Sequence, residues 1–197
     1  MPHFLRRSPL RPLLASAATL IALVVALVVA LSAAPDAAQA SLDNDRYDGN
    51  IFALYAGNGS LVPPRGTLAQ ALADHRVAVL VFYLDDSSVS KRFAPTVSEL
   101  QRLWGNQVEL MPLVTDPLQG RPDTGATDPA HYWKGEIPQV VVIDSQGDVR
   151  FDRSGQVEVD AISEAISEAT GIPLPQGRSA SGTLSFNELN SEVVSLP

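Results

Sequence analysis

Residues 77–84, Val-Ala-Val-Leu-Val-Phe-Tyr-Leu, run straight into Asp85-Asp-Ser-Ser-Val-Ser90 and then into Lys91-Arg-Phe-Ala-Pro95. An unbroken apolar run of strand length, rich in β-branched and aromatic residues, reads as a strand covered on both faces. The period changes at the Ser-rich step, after which Val89, Phe93, Val97, Leu100 and Trp104 line one face of a helix. Pro95 lies inside that helix and is expected to kink it. A buried strand feeding a helix through a small polar loop commits the chain to an α/β layer. It also sets the free N–H groups and positive dipole end of the helix at the loop, so residues 85–90 decide what chemistry is available.

The remaining elements follow from pattern. Ile51–Tyr55 is a short apolar run, expected to be a first strand and broken by Gly57-Asn-Gly59. Thr67 N-caps a helix over Leu68–His75, and Val108–Val114 is a further strand. Residues 115–130 form a Pro-, Gly- and Asp-rich excursion, long for a connection within a compact domain, with a short helix expected over Asp128–Trp133. Pro138–Asp144 and Val149–Phe151 flank the turn Ser145-Gln-Gly147-Asp and predict a hairpin. Val159, Ile162, Ala165 and Ile166 mark an amphipathic helix that Gly171 ends, and 172–197 is a Ser-, Gly- and Pro-containing tail in which Leu184–Leu189 is a candidate docking segment. The expected order is β-α-β-α-β-(α)-β-β-α, a mixed central sheet flanked by helices.

The N-terminus adds a separate unit. Arg6, Arg7 and Arg11 precede an uncharged Ala-, Leu- and Val-rich run from Leu13 to Ala34, and Ala38-Gln-Ala40 offers small residues for cleavage. This is the pattern of a secretory signal, although the run is close to the roughly 20 residues that span a bilayer. Residues 1–40 are therefore expected to be a signal peptide or a membrane anchor, 41–50 a linker, 51–171 the folded domain and 172–197 the tail. Arginines ahead of the run favour the side from which export begins, so everything after Ser41 is expected across a membrane. Residues 41–197 hold 21 acidic against 11 basic side chains, a balance that repels phosphate backbones and argues against nucleic acid as a partner.

Several chemistries are excluded or disfavoured. The chain has no cysteine, hence no disulfide, thiolate ligand or thiol nucleophile. His75 and His131, the histidines outside the leader, have no acids at ligand spacing, so no metal is expected. No Gly-x-Ser-x-Gly elbow and no phosphate-cradling glycine loop occurs, and no cofactor is expected. Asp85 and Asp86 offer paired carboxylates, but solvated charges at a strand end are the plainer reading. His131, Tyr132 and Trp133 offer a partner-binding patch, against which stands simple packing into the core.

The order of elements, the run 81–95 ending in Lys91-x-x-Ala94-Pro95, and Ile137-Pro138 at the start of the penultimate strand resemble a thioredoxin fold over about residues 51–171. In that register Ser87 and Ser90 fall on the two cysteine positions of the family with Ser88 and Val89 between them. Val81 falls on its buried relay acid, Pro138 on its cis-proline, and Gly147 and Gly155 on its hairpin turn and following bulge. The resemblance implies the fold and, because thiolate chemistry needs the missing sulfur, the absence of redox activity. The leader, the cysteine-free loop, the excursion and the Ser-Phe-Asn-Glu-Leu-Asn stretch at 185–190 together resemble the cyanobacterial thioredoxin-like photosystem I accumulation factors.

That resemblance implies a protein of the thylakoid membrane or lumen that serves photosystem I assembly and holds a protein client, with the membrane engaged through the N-terminal segment. The expected contact residues are Ser87, Ser88, Val89 and Ser90 in the loop, against which stands the plainer reading that the serines only cap the helix, and the Ile137-Pro138 edge, where a cis bond would expose backbone to an extended peptide. The alternative is a thiol-disulfide oxidoreductase- or isomerase-like enzyme working with a partner's cysteines. A structural role carried by the excursion and tail is a third.

Overall fold

The computed structural model describes residues 22–24 and 40–175. The chain divides into two units, Met1–Ala38 and Gln39–Pro197. In the first, residues 22–24 are helical. The rest of the leader and the tail beyond residue 175, with its Leu184–Leu189 segment, lie outside the described residues. Among the described residues no helix is long and apolar enough to cross a membrane.

The second unit contains helices α1 (Ile51–Ala56), α2 (Leu68–Ala73), α3 (Ser88–Trp104) and α4 (Val159–Thr170) and strands β1 (Ala78–Tyr83), β2 (Glu109–Val114), β3 (Gln139–Ile143) and β4 (Val149–Ser154). Three short 3₁₀ turns occupy Gly59–Leu61, Asp116–Leu118 and Pro129–His131. The sheet order is β2-β1-β3-β4, with β1 parallel to β2 and antiparallel to β3, and β3 antiparallel to β4. A βαβ crossover through α3 followed by a hairpin and a closing helix is the thioredoxin-like arrangement expected from the sequence. The short helix expected over Asp128–Trp133 is the 3₁₀ turn Pro129–His131.

The expected first strand at Ile51–Tyr55 is the helix α1. The Asn50 carboxamide accepts from the amides of Phe52 and Ala53 at 3.0 and 3.2 Å, which starts the helix, and Gly57 ends it in the left-handed conformation at φ 61°. Six residues are too few to be helical on their own, so packing holds them. Ile51 and Phe52 are fully buried, and Phe52 meets Tyr83 edge-on with ring centroids 5.0 Å apart. Without that strand, β2 is an edge. Glu109 and Thr115 donate their amides to Val77 and Tyr83, so the alternation along a parallel ladder turns position 112 toward the open side. The residue there is proline, which has no N–H to offer to another strand.

Both sheet faces are covered, which is why β1 shows no polar alternation. Val79, Val81 and Tyr83 pack with α1, α3 and α4, while Ala78, Leu80 and Phe82 pack with α2, with Leu118 of the excursion and with Tyr132 just after it. The excursion thus serves as the cover of the second face. It is tied to the sheet by the buried Gln139, whose amide nitrogen donates to the Tyr132 carbonyl and the Asp152 carboxylate, each at 2.9 Å, and whose oxygen accepts from the Lys134 amide at 3.0 Å. The Asp128 carboxylate holds its interior, receiving Arg121, Thr124 and the Ala130 amide. The hairpin turn is organised by buried Asp144, which accepts from the amides of Gln146 and Asp148 and pairs with Arg150, with Gly147 at φ 91°.

Candidate functional site

Ser87, Ser88, Val89 and Ser90 sit where β1 passes into α3, and their hydroxyls have different duties. Ser87 is the N-cap of α3, its Oγ accepting from the Ser90 amide at 3.4 Å. Ser90 is buried, and its Oγ accepts from the Leu84 amide at 3.1 Å, tying the helix back onto the end of the strand. Ser88 and Val89 are half-buried; the Val89 carbonyl accepts from the Gln156 side chain at 2.8 Å.

Phe82 faces Gln139 across the β1/β3 ladder, so Ile137 and Pro138 lie at the same end of the sheet as the loop. The Ile137–Pro138 bond is cis. Pro138 is buried and its carbonyl already accepts from the Gly155 amide at 2.8 Å, while Ile137 is half-buried. The structure therefore brings the predicted loop and edge residues to one end of the sheet, with Ser90 and Pro138 turned inward. Val81, at the position of the relay acid, is fully enclosed among apolar side chains.

Asp85 and Asp86 differ. Asp86 is exposed. Asp85 is half-buried, and burial pushes its carboxyl above the usual range against the lowering effect of the Ile51 amide, with Asp116 and Asp86 adding to the rise. His131 lies by Asp123 at 2.8 Å on the excursion, and Tyr132 is buried with its hydroxyl on the Ala126 carbonyl. Among the described residues no group of three or more His, Cys, Asp or Glu side chains is arranged to hold a metal ion.

The contacts made by the lead-in were not legible in the sequence: residues 41–48 dock on α3. Lys91 is fully buried in the first turns of α3, and its ammonium meets the carbonyls of Ser41 and Asn44 at 3.2 and 3.1 Å, the Asn44 side-chain oxygen at 3.2 Å and the Asp48 carboxylate at 2.5 Å. The Tyr55 hydroxyl donates to the same carboxylate at 2.7 Å. The Lys91 ammonium and then the Tyr55 hydroxyl hold the Asp48 carboxyl down to about 2, while burial and then the bond to Asp48 raise Tyr55 to about 12. Beyond the lysine, Asp45 accepts from the Ser88 amide at 2.8 Å, so this N-terminal stretch reaches the loop itself. The available signal was position 91 on the buried side of α3, three residues before Ala94; a lysine there needs a counter-ion.

Over 158 residues the chain is 37% identical to the thylakoid membrane protein slr1796 of Synechocystis sp., covering 80% of this chain and 78% of that protein. The chain belongs to the family of that thylakoid membrane protein. No family model matches it. Among solved structures, the exposed lipoprotein thioredoxin Etrx1 of Streptococcus pneumoniae matches at 19% identity and a TM-score of 0.40, over 49% of this chain and 89% of its own. The thioredoxin-like superfamily protein SPOA0173 matches at 18% identity and a TM-score of 0.38, over 53% and 87%. The fold assignment rests on the strand order and crossover described above. This chain has no thiol to use, and the positions of Ser87 and Ser90 carry hydroxyls engaged with backbone amides.

Proposed function

We propose that this protein is a non-catalytic, thioredoxin-like factor at the thylakoid membrane that supports photosystem I assembly or accumulation by holding a protein client at the loop 87–90 and the Ile137–Pro138 edge. The observation that carries the reading is the employment of the two serines. Where a thioredoxin keeps its attacking and resolving thiols, this chain has a helix cap and a buried acceptor for the Leu84 amide. A serine hydroxyl so placed has neither the acidity nor the redox chemistry of a thiolate. The frame is kept and its reactive atoms are replaced by structural ones, as suits a module that binds. The name of the Synechocystis relative supports the thylakoid placement. The link to photosystem I rests on the resemblance of the leader, loop, excursion and tail to the accumulation factors.

Affinity purification of the full chain from solubilised cyanobacterial thylakoid membranes is expected to enrich photosystem I subunits or their assembly intermediates, and deletion of the gene is expected to lower photosystem I content. Recovery of no photosystem I polypeptide, together with unchanged content in the deletion strain, sinks the proposal. Disulfide reduction and peptide isomerisation by the purified protein are expected at the uncatalysed rate. Robust turnover lost on Ser90→Ala would establish the enzyme reading instead.

A further inference from the structure

The N-terminal stretch crosses the proposed client surface, and its contacts fall into two classes. Lys91 is fully buried and takes four oxygens from Ser41, Asn44 and Asp48; withdrawing them would leave an ammonium enclosed without a partner. Leu42, Asp43 and Asp45, which alternate with those anchors along the chain, are exposed. Asp45 reaches the Ser88 amide at 2.8 Å, and Arg92 reaches the Leu42 carbonyl at 3.3 Å and Asp43 at 3.4 Å, where the Asp43 side chain is 89% exposed. Exposed pairs of this kind contribute little and are readily exchanged. The backbone of the stretch is thus pinned through Ser41, Asn44 and Asp48, while the side chain of Asp45, between the last two, is held on the loop by an exposed contact.

We propose that residues 41–48 form a latch in which Asp45 occupies the Ser88 amide in cis, and that an extended client segment replaces Asp45 there with an acceptor of its own while the Lys91 anchor stays closed. This rests on the reading of loop 87–90 as the client surface. The Ser88 amide is the first-turn donor held by an exposed side chain from another part of the chain, whereas the Ser90 amide is engaged by Ser87 and the Lys91 amide by the Ser87 carbonyl. The exchange swaps one acceptor for another on a fixed amide, so no buried group is exposed at any stage. The latch also limits what binds, because a client lacking a suitably placed oxygen gives up the contact that Asp45 already makes.

The test uses the full chain in detergent, with a photo-crosslinking residue at exposed Asp86. Asp45→Ala removes the cis acceptor, and Asp45→Asn keeps an acceptor oxygen as a control. In Asp45→Ala, hydrogen exchange of the segment containing the Ser88 amide is expected to rise about fivefold while that of 46–48 stays near wild type. Crosslinking to photosystem I polypeptides in thylakoid membranes is expected to rise about threefold, with Asp45→Asn close to wild type in both measurements. Unchanged exchange overturns the latch. Faster exchange with unchanged or reduced crosslinking overturns the displacement while leaving the client surface standing. Absence of crosslinks from every variant overturns the client surface and the latch's role with it.

Discussion

The ammonium of Lys91 lies 2.5 Å from Oδ2 of Asp48, across 43 residues of sequence, with the lysine side chain fully enclosed and the aspartate 7% exposed. This pair joins the stretch that precedes α1 to the helix that carries the candidate site. It makes residues 41–48 part of the folded domain. The Tyr55 ring stands 5.7 Å from the same ammonium and its hydroxyl donates to the same carboxylate, so α1 is drawn into the arrangement as well.

Removing one partner should cost more than removing both. Asp48→Ala leaves a buried ammonium with only neutral oxygens, and its thermal midpoint is expected to fall by roughly 5–10 °C. The double variant Asp48→Ala, Lys91→Met replaces the ion by an apolar chain of similar length and should recover most of that loss. Differential scanning calorimetry of the three proteins decides it; a double variant as unstable as Asp48→Ala would contradict the account.

The same pair gives a pH dependence of defined sign. Asp48 is held down to about 2 from an ordinary 3.8, so its contribution is fully present above pH 3.8 and is lost as the pH falls toward 2. Asp48→Asn has no such group, and its stability should fall less steeply across that interval. Urea midpoints measured at several pH values between about 4 and 2 provide the comparison.

Ser90→Ala removes the acceptor for the Leu84 amide and should destabilise the protein by about 1–3 kcal/mol, the cost of an unsatisfied buried donor. Ser88→Ala leaves the backbone amide in place and should change stability by less than about 0.5 kcal/mol. Equal losses in denaturant titrations would mean that the two hydroxyls do not differ in duty as described.

Gln139→Leu should release the end of the excursion. It leaves the Tyr132 carbonyl and the Lys134 amide without their side-chain partner inside the fold. A loss of about 2 kcal/mol is expected, with faster hydrogen exchange concentrated in residues 130–136. Exchange that rises evenly over the whole domain would instead indicate a general loss of packing.

Pro112→Val should affect association more than folding. It restores an outward N–H at the centre of the open β2 edge, which is the feature that lets sheet edges pair. Sedimentation velocity is expected to show a concentration-dependent dimer for the variant, whereas the parent's behaviour stays unchanged over the same range. A variant that sediments as the parent does would show that the edge is closed by something other than the proline.

The strongest elements were legible because each depended on local pattern. The β1 run, the Ser-capped α3, the Asp144–Val149 turn and the Gly171 stop are specified by neighbours in the chain, and the absence of cysteine excludes thiol chemistry whatever the fold. The expectation of a strand at Ile51–Tyr55 fails because five apolar residues fit a strand as well as a helix. Asn50 and Gly57 became caps only when the segment packed on Tyr83 and α3. Residues 41–48 have no periodicity to read, and their placement is set by the requirement of one buried ammonium on another element. The sequence by itself determined the junction, its helix and the loss of its reactive sulfurs, since these follow from residue identity and short-range spacing. Only the tertiary structure decided that Ser90 is inward, that the excursion covers a sheet face, and that Asp45 lies on the loop, since each depends on which distant polar groups must satisfy one another once water is excluded.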